Sequence, residues 1–367
     1  MVIRRLVADC LGEDPEIEVV GTAANGQIGL AKIAQVNPDL VTLDIEMPVM
    51  DGLQTLKAIR KTYPRLPVIM FSTLTERGAC ATLDALSLGA SDYVTKPANV
   101  GSVGAALQRI RDELIPKIKS LCGRQSRPSA AVLARPGVEP QRKFTTQPVA
   151  HAHARAEILA IGVSTGGPNA LATLLPGLAR NFPVPIVIVQ HMPPLFTRLL
   201  AERLAVVTGF PGHEGVAGAV LKPGEIWVAP GGFHMEVERG VGEVCLHTHE
   251  GPPENSCRPA VDVLFRSVAK VFGARAMAVV LTGMGQDGLR GCEYIREAGG
   301  QVLAQDEASS VVWGMPGAVS QAGLAEKVLP LNELAAEINR RIPARNFPAA
   351  LPLPAGVPSQ PWLAKIS

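Results

Sequence analysis

Three side chains with the chemistry of an acyl-transfer site stand at similar places in the second half of the sequence. Gly162-Val163-Ser164-Thr165-Gly166 matches G-x-S-x-G and follows the apolar run E-I-L-A-I-G (157–162). A serine on such a strand-to-helix turn projects its hydroxyl clear of a sheet, and the next helix N-terminus offers N–H groups to a developing oxyanion. Alone, the motif also fits a helix N-cap or a phosphate cradle. His191 follows P-I-V-I-V-Q (185–190), and Asp287 lies in G-M-G-Q-D-G after A-M-A-V-V-L-T (276–282). Nucleophile, base and orienting carboxylate thus each follow an apolar strand, as acyl transfer by a serine requires. The order Ser, His, Asp differs from the Ser, Asp, His order of α/β-hydrolases.

A second set occupies the first half. Asp44 ends D-L-V-T-L-D (39–44), Ser72 follows L-P-V-I-M-F (66–71), and Lys96 follows S-D-Y-V-T (91–95). A carboxylate, a hydroxyl and an ammonium on one sheet edge could accept a phosphoryl group: the carboxylate as nucleophile, the lysine balancing charge, the hydroxyl sensing the phosphoryl oxygens.

The elements needed to position both sets are legible. Apolar runs at 17–21, 39–44, 66–71 and 91–95 alternate with helical patterns at about 26–35, 53–62, 76–88 and 99–119. A second alternating region has strands at 157–162, 185–190, 225–230 and 276–282, and residues 225–249 read as an inserted β-hairpin. The fold class expected is α/β: a flavodoxin-like parallel sheet, then a doubly wound parallel sheet with that hairpin. Residues 1–119 form the first domain, 120–155 a Pro/Ser/Gln/Arg-rich linker, 156–342 the second domain, and 343–367 a disordered Pro-rich tail. The 367 residues suit two domains. A net charge of +2 without a basic, aromatic-laced stripe argues against nucleic acid, and no apolar run is long enough to insert in a membrane. The six cysteines are scattered without C-x-x-C, as expected of reduced, incidental thiols in a cytoplasmic protein. His247 and His249 in H-T-H share a strand face, but no third metal ligand is evident.

The first half resembles response-regulator receiver domains in D-I-E-M-P-V-M-D-G, the following Ser, and G-A-S-D-Y-V-T-K-P. The resemblance makes Asp44 the phosphoacceptor, Ser72 and Tyr93 the switch residues, and Lys96 the phosphate-pairing cation. It also implies Mg²⁺ for phosphorylation, held by Asp44 and the Glu46 carbonyl. The sequence departs from the receiver pattern at its start. Met1 falls within the first helix, V-I-R-R-L-V-A-D-C-L, so the first strand and its acidic pair are absent and the Mg²⁺ site is incomplete. Either the start is assigned too late or the receiver is degenerate. Asp9 and Asp14 are poorly placed as substitutes.

Across about 157–342 the chain resembles the chemotaxis protein-glutamate methylesterase/protein-glutamine glutaminase family. The motifs are I-G-V-S-T-G-G-P, V-Q-H-M-P-P-L-F, V-A-P-G-G-F-H-M, R-P-A-V-D-V-L-F-R-S-V, L-T-G-M-G-Q-D-G and A-Q-D-E-A-S-S-V-V-W-G-M-P. By that resemblance Ser164 attacks the γ-ester of a methylated receptor glutamate, His191 moves the proton and Asp287 orients the imidazole, with no catalytic cofactor. Backbone N–H groups near Thr165 and Met284 form the oxyanion pocket, and Arg258 helps position substrate. R-P-A replaces the usual R-P-S, and G-M-P-G lacks an Arg common after the Pro, which touches substrate preference. The implied partners are methyl-accepting chemoreceptors and a chemotaxis histidine kinase; a cytoplasmic monomer is expected. Alternatives are a regulator whose second domain only binds a partner, a hydrolase of a different protein substrate, and a nucleotide-binding domain; the last lacks a Walker lysine.

Overall fold

A computed structural model describes residues 2–96, 103–123 and 154–344. The first region runs α1 (Val2–Gly12), α2 (Gly26–Val36), β1 (Val41–Asp44), α3 (Gly52–Thr62), β2 (Val68–Ser72), α4 (Glu76–Ser87), β3 (Asp92–Thr95) and α5 (Val103–Cys122). Local chemistry sets the helix starts. Asn25 accepts from the Ile28 N–H at the head of α2, Asp51 and Gln54 form a capping box at α3, and Thr75 caps α4. The three strands pair in parallel in the order β1-β2-β3. Their carboxyl ends bring Asp44, Ser72 and Lys96 to one edge.

The strand expected at 17–21 does not form. Those residues are irregular, and Val19 and Val20 are exposed. A β-strand needs a hydrogen-bonded neighbour, and among the described residues this segment has none, so its valines find no sheet to cover. The expected linker also starts late: α5 continues to Cys122, and residues 124–153 lie outside the described residues, as do residues 345–367 of the expected tail.

The second region runs β4 (Ile158–Val163), α6 (Gly167–Leu174), β5 (Ile186–Gln190), α7 (Phe196–Thr208), β6 (Gly212–Glu214), β7 (Ile226–Val228), β8 (His234–Arg239), β9 (Val244–His249), α8 (Val261–Phe272), β10 (Ala276–Val280), α9 (Leu289–Glu297), β11 (Gln301–Gln305), α10 (Met315–Gln321), β12 (Lys327–Leu329) and α11 (Leu331–Arg341). Seven parallel strands take the order β12-β11-β10-β4-β5-β7-β6. Every residue of β4, β5 and β10 is buried, which explains runs of Ile, Val and Ala without polar alternation. The hairpin is β8 and β9 alone, and the Ile226–Val228 strand belongs to the main sheet.

This winding decides where the site lies. The chain proceeds from β4 through β5 to β7 and β6 on one side, then returns to build β10, β11 and β12 on the other. The reversal falls between β4 and β10, and clefts at such switch points open at the carboxyl ends of the strands. Ser164 follows β4 and Asp287 lies on the loop after β10.

One buried cluster joins the two regions. It includes Leu83, Leu86 and Tyr93 from the first, and Leu171, Phe196 and Leu200 from the second. No helix among the described residues is long and apolar enough to cross a membrane.

Candidate active site

Ser164 stands where β4 gives way to α6. Its N–H donates to the Thr282 carbonyl at 3.0 Å, and its own carbonyl accepts from the Gly167 N–H at 2.8 Å and Gln190 Nε2 at 2.9 Å. The turn requires glycine at two places. Gly166 has φ +78°, and a Cβ on Gly167 would lie 1.9 Å from Gln190 Oε1. These contacts fix the backbone of the serine and leave its hydroxyl without a hydrogen bond among the described residues.

His191 Nε2 lies 2.7 Å from Asp287 Oδ2. The carboxylate is heavily constrained. Oδ2 also accepts from the Val261 N–H at 2.6 Å, while Oδ1 accepts from Asn255 Nδ2 (2.9 Å) and the N–H groups of Asp262 and Gly288 (both 3.0 Å). Burial alone would push the Asp287 carboxyl up, but His191 and the backbone donors hold it below its ordinary value. An ionised Asp287 makes Nε2 the protonated nitrogen of a neutral His191 and leaves a lone pair on Nδ1. Burial would also pull His191 down; the hydrogen bonds to Asp287 and Cys257 outweigh it and lift the imidazole to about 9.

Nδ1 faces Cys257 Sγ at 3.6 Å. Cys257, Asn255 and Asp262 were not singled out by the sequence. Asn255 and Ser256 both have positive φ, at 52° and 62°, a turn that swings Cys257 toward the imidazole. Asn255 Nδ2 also donates to Asp262 Oδ2, and Asp262 Oδ1 receives the N–H groups of Gly288 and Gly291. Burial raises the Asp262 carboxyl, opposed by the Gly291 hydrogen bond. The available signal was the pattern N-S-C-R-P-A-V-D itself, which places an Asp in the first turn of α8.

The remaining predicted site residues take several roles. The N–H groups of Thr165 and Met284 have no partner among the described residues, so both are free to donate to a ligand. The Thr165 hydroxyl instead donates to Asp92 Oδ2 at 2.8 Å. Arg258 Nη1 donates to the carbonyls of Glu250 and Gly251 at 3.0 Å, which braces the hairpin exit. His234 does similar work: its Nδ1 accepts from the Ala260 N–H, and its Nε2 lies 2.9 Å from the Pro252 carbonyl. His247 and His249 stack on one strand face as expected, with His249 Nε2 3.4 Å from Glu236. They form no three-ligand group; among the described residues the sole such group is His191, Cys257 and Asp287.

Comparison with known proteins assigns this geometry to a family. Residues 159–338 match the family described as "CheB methylesterase", and residues 1–108 match "Response regulator receiver domain". A protein-glutamate methylesterase/protein-glutamine glutaminase of Trichodesmium erythraeum is 58% identical over 342 residues, covering 93% of this chain and 96% of the relative. One of a Nocardioides species is 54% identical over 354 residues, covering 96% and 95%. The crystal structure of the Thermotoga maritima CheB methylesterase catalytic domain is 40% identical with a TM-score of 0.50, covering 51% of this chain and 99% of that one. The chain belongs to the protein-glutamate methylesterase/protein-glutamine glutaminase family.

This family member carries a receiver domain, and the second candidate site lies there. Lys96 Nζ is 2.7 Å from Asp44 Oδ1, which also accepts from the Glu46 N–H at 3.0 Å. Ser72 Oγ is buried and donates to the Gly78 carbonyl at 3.0 Å. The receiver expectation includes Mg²⁺, but no group of three metal-ligating side chains forms around Asp44 among the described residues. Asp9 pairs with Arg5 and Asp14 with Lys119, so neither serves there. Asp44 and one carbonyl fall short of the octahedral oxygen set that Mg²⁺ prefers.

The two candidate sites are joined physically. The Tyr93 ring stacks on Phe196 with centroids 5.0 Å apart, and Lys117 Nζ lies 5.2 Å above the Tyr93 ring and 3.0 Å from Asp92. Burial drives the Tyr93 hydroxyl well above its ordinary range. Asn169 Nδ2 donates to the Leu86 carbonyl at 2.7 Å. Arg198–Glu76 and Arg203–Asp84 pairs close the rim.

Proposed function

We propose that the chain hydrolyses γ-methyl esters of glutamate on methyl-accepting chemoreceptors, releasing methanol, and deamidates receptor glutamines at the same site. Ser164 Oγ attacks the side-chain carbonyl as His191 Nδ1 takes its proton. The carbonyl electrons move onto oxygen, facing the N–H groups of Thr165 and Met284. Collapse expels methoxide, or ammonia from an amide, protonated by His191. Water, deprotonated by His191, then cleaves the acyl-serine to glutamate and free Ser164. Asp287 accepts the Nε2–H throughout and balances the imidazolium. The observation that carries this reading is the 2.7 Å His191–Asp287 contact beside the serine turn. His191 Nδ1 must turn from Cys257 to Ser164, and hydrogen bonds of this kind commonly tighten only with substrate bound.

In the same reading Asp44 is the phosphoacceptor, charged by a chemotaxis histidine kinase, in a cytoplasmic protein. Lys96 would pair with the phosphoryl group, and among the described residues Asp44 and the Glu46 carbonyl are the groups that would hold Mg²⁺. Among the described residues the receiver sheet has three parallel strands, and segment 17–21 pairs with none of them. Loss of the Asp44–Lys96 pair on phosphorylation would rebias Ser72 and Tyr93 and weaken the Tyr93–Phe196 and Asp92–Thr165 contacts that hold the receiver beside Ser164. The test is incubation with a methylated receptor cytoplasmic fragment. Methanol and free glutamate at the methylated positions are expected; intact esters after incubation with folded protein would refute the reading.

A further inference from the structure

Beyond helping to lift the His191 imidazole, the contact between Cys257 and His191 takes no step in the ester chemistry above. Sγ and Nδ1 are 3.6 Å apart, and in the neutral imidazole Nδ1 carries the lone pair because Nε2–H is committed to Asp287. A Zn²⁺ ion bound tetrahedrally by one thiolate and one imidazole, with bonds of about 2.3 and 2.0–2.1 Å, holds those atoms about 3.5–3.6 Å apart. The outer shell is also built. An imidazole that binds zinc through one nitrogen almost always donates its other N–H to a carboxylate or carbonyl. Asp287 fills that position, itself fixed by four further donors. His191 and Asp287 side chains are 14% and 2% exposed and Cys257 is half-buried, so the carboxylate side of the site is screened from water.

We propose that Cys257 Sγ and His191 Nδ1 form a binding site for a thiophilic divalent cation, Zn²⁺ in the first instance, that reversibly shuts off the hydrolase. The cation replaces the thiol proton, which leaves to solvent, and takes the lone pair that Ser164 needs. Water or the Ser164 hydroxyl completes the coordination. The inhibition rests on the catalytic role given to His191, whereas metal binding does not.

Two measurements on the full chain separate these layers. Co²⁺ in place of Zn²⁺ gives a thiolate-to-metal charge-transfer absorption, expected in the wild type and lost in Cys257→Ala and Cys257→Ser, both at a half-buried position that tolerates a small side chain. Asp287→Asn should weaken Co²⁺ binding about 10- to 100-fold, the usual effect of removing an outer-shell partner. Zn²⁺ should abolish methanol release, with recovery on adding a chelator. Each variant is compared with its own metal-free rate, and the Cys257 variants should need at least about 10-fold more Zn²⁺. A charge-transfer band that survives loss of Cys257, or no band at all, overturns the site. A Cys257-dependent band without inhibition would keep the metal site and overturn its control of His191.

Discussion

Replacing Asp287 by Asn should disable the enzyme through the wrong imidazole tautomer, with the fold kept. Three donors converge on Oδ1, from Asn255, Asp262 and Gly288, against Val261 and His191 on Oδ2. The amide oxygen of Asn therefore keeps the Oδ1 position, and its NH₂ takes the Oδ2 position. There it meets the Val261 N–H, another donor, at 2.6 Å, and it donates to His191 Nε2. Nε2 becomes the acceptor, the proton moves to Nδ1, and the nitrogen that must reach Ser164 can no longer act as a base. The same change in a protease triad lowers kcat about 10⁴-fold. A loss of about 10³- to 10⁴-fold is expected here, or about 4–5.5 kcal/mol at 1.36 kcal/mol per decade. Exchanging a charged acceptor for an amide should lower stability by about 1–3 kcal/mol. Methanol release gives the first number and urea unfolding the second. A variant that folds and retains more than a tenth of the activity would refute the assignment of Nδ1 as base.

Asp92→Asn removes the charge that joins Thr165 to Lys117, and hydrogen bonds to charged groups are worth about 1.5–3 kcal/mol; unstimulated methanol release should rise by about tenfold or more unless the open form already dominates. Asp44→Asn should lose any stimulation by a small phosphodonor such as acetyl phosphate, read as the ratio of rates with and without it. A Cβ on Gly283 would sit 2.9 Å from Ser164 Cβ and 2.3 Å from Met315 Sδ, so Gly283→Ala should depress kcat more than it raises KM. His191, raised to about 9, must be neutral to accept a proton, so the rate should climb with pH and level off above that value. The same shift stabilises the fold fully below the unfolded pKa of about 6.5 and is lost as pH rises through 9, so the urea midpoint should fall between pH 7 and 10.

The positions that could be read from sequence are those where chemistry coincides with a strand end. Ser164, His191, Asp287, Asp44 and Lys96 each follow an apolar run, and a parallel sheet gathers such ends without further information. The three short strands β6, β11 and β12 escaped because they carry three to five residues with little period. Residues 17–21 have strand composition but no pairing strand among the described residues, and composition alone cannot supply one. Cys257 reads as an incidental thiol in sequence because its meeting with His191 depends on two positive-φ residues, Asn255 and Ser256, that no hydrophobic pattern reveals. The Asp92–Thr165 contact joins residues 73 positions apart in two regions, which no local signal encodes.

Ser164, rather than the Cys257 thiol, is the proposed nucleophile for receptor methyl esters. Methanol release from a methylated receptor fragment by the full chain, by Ser164→Ala and by Cys257→Ala separates the two. Release is expected from the wild type and from Cys257→Ala, and only background release from Ser164→Ala. Release by Ser164→Ala that disappears only when Cys257 is also removed would contradict the Ser164 assignment.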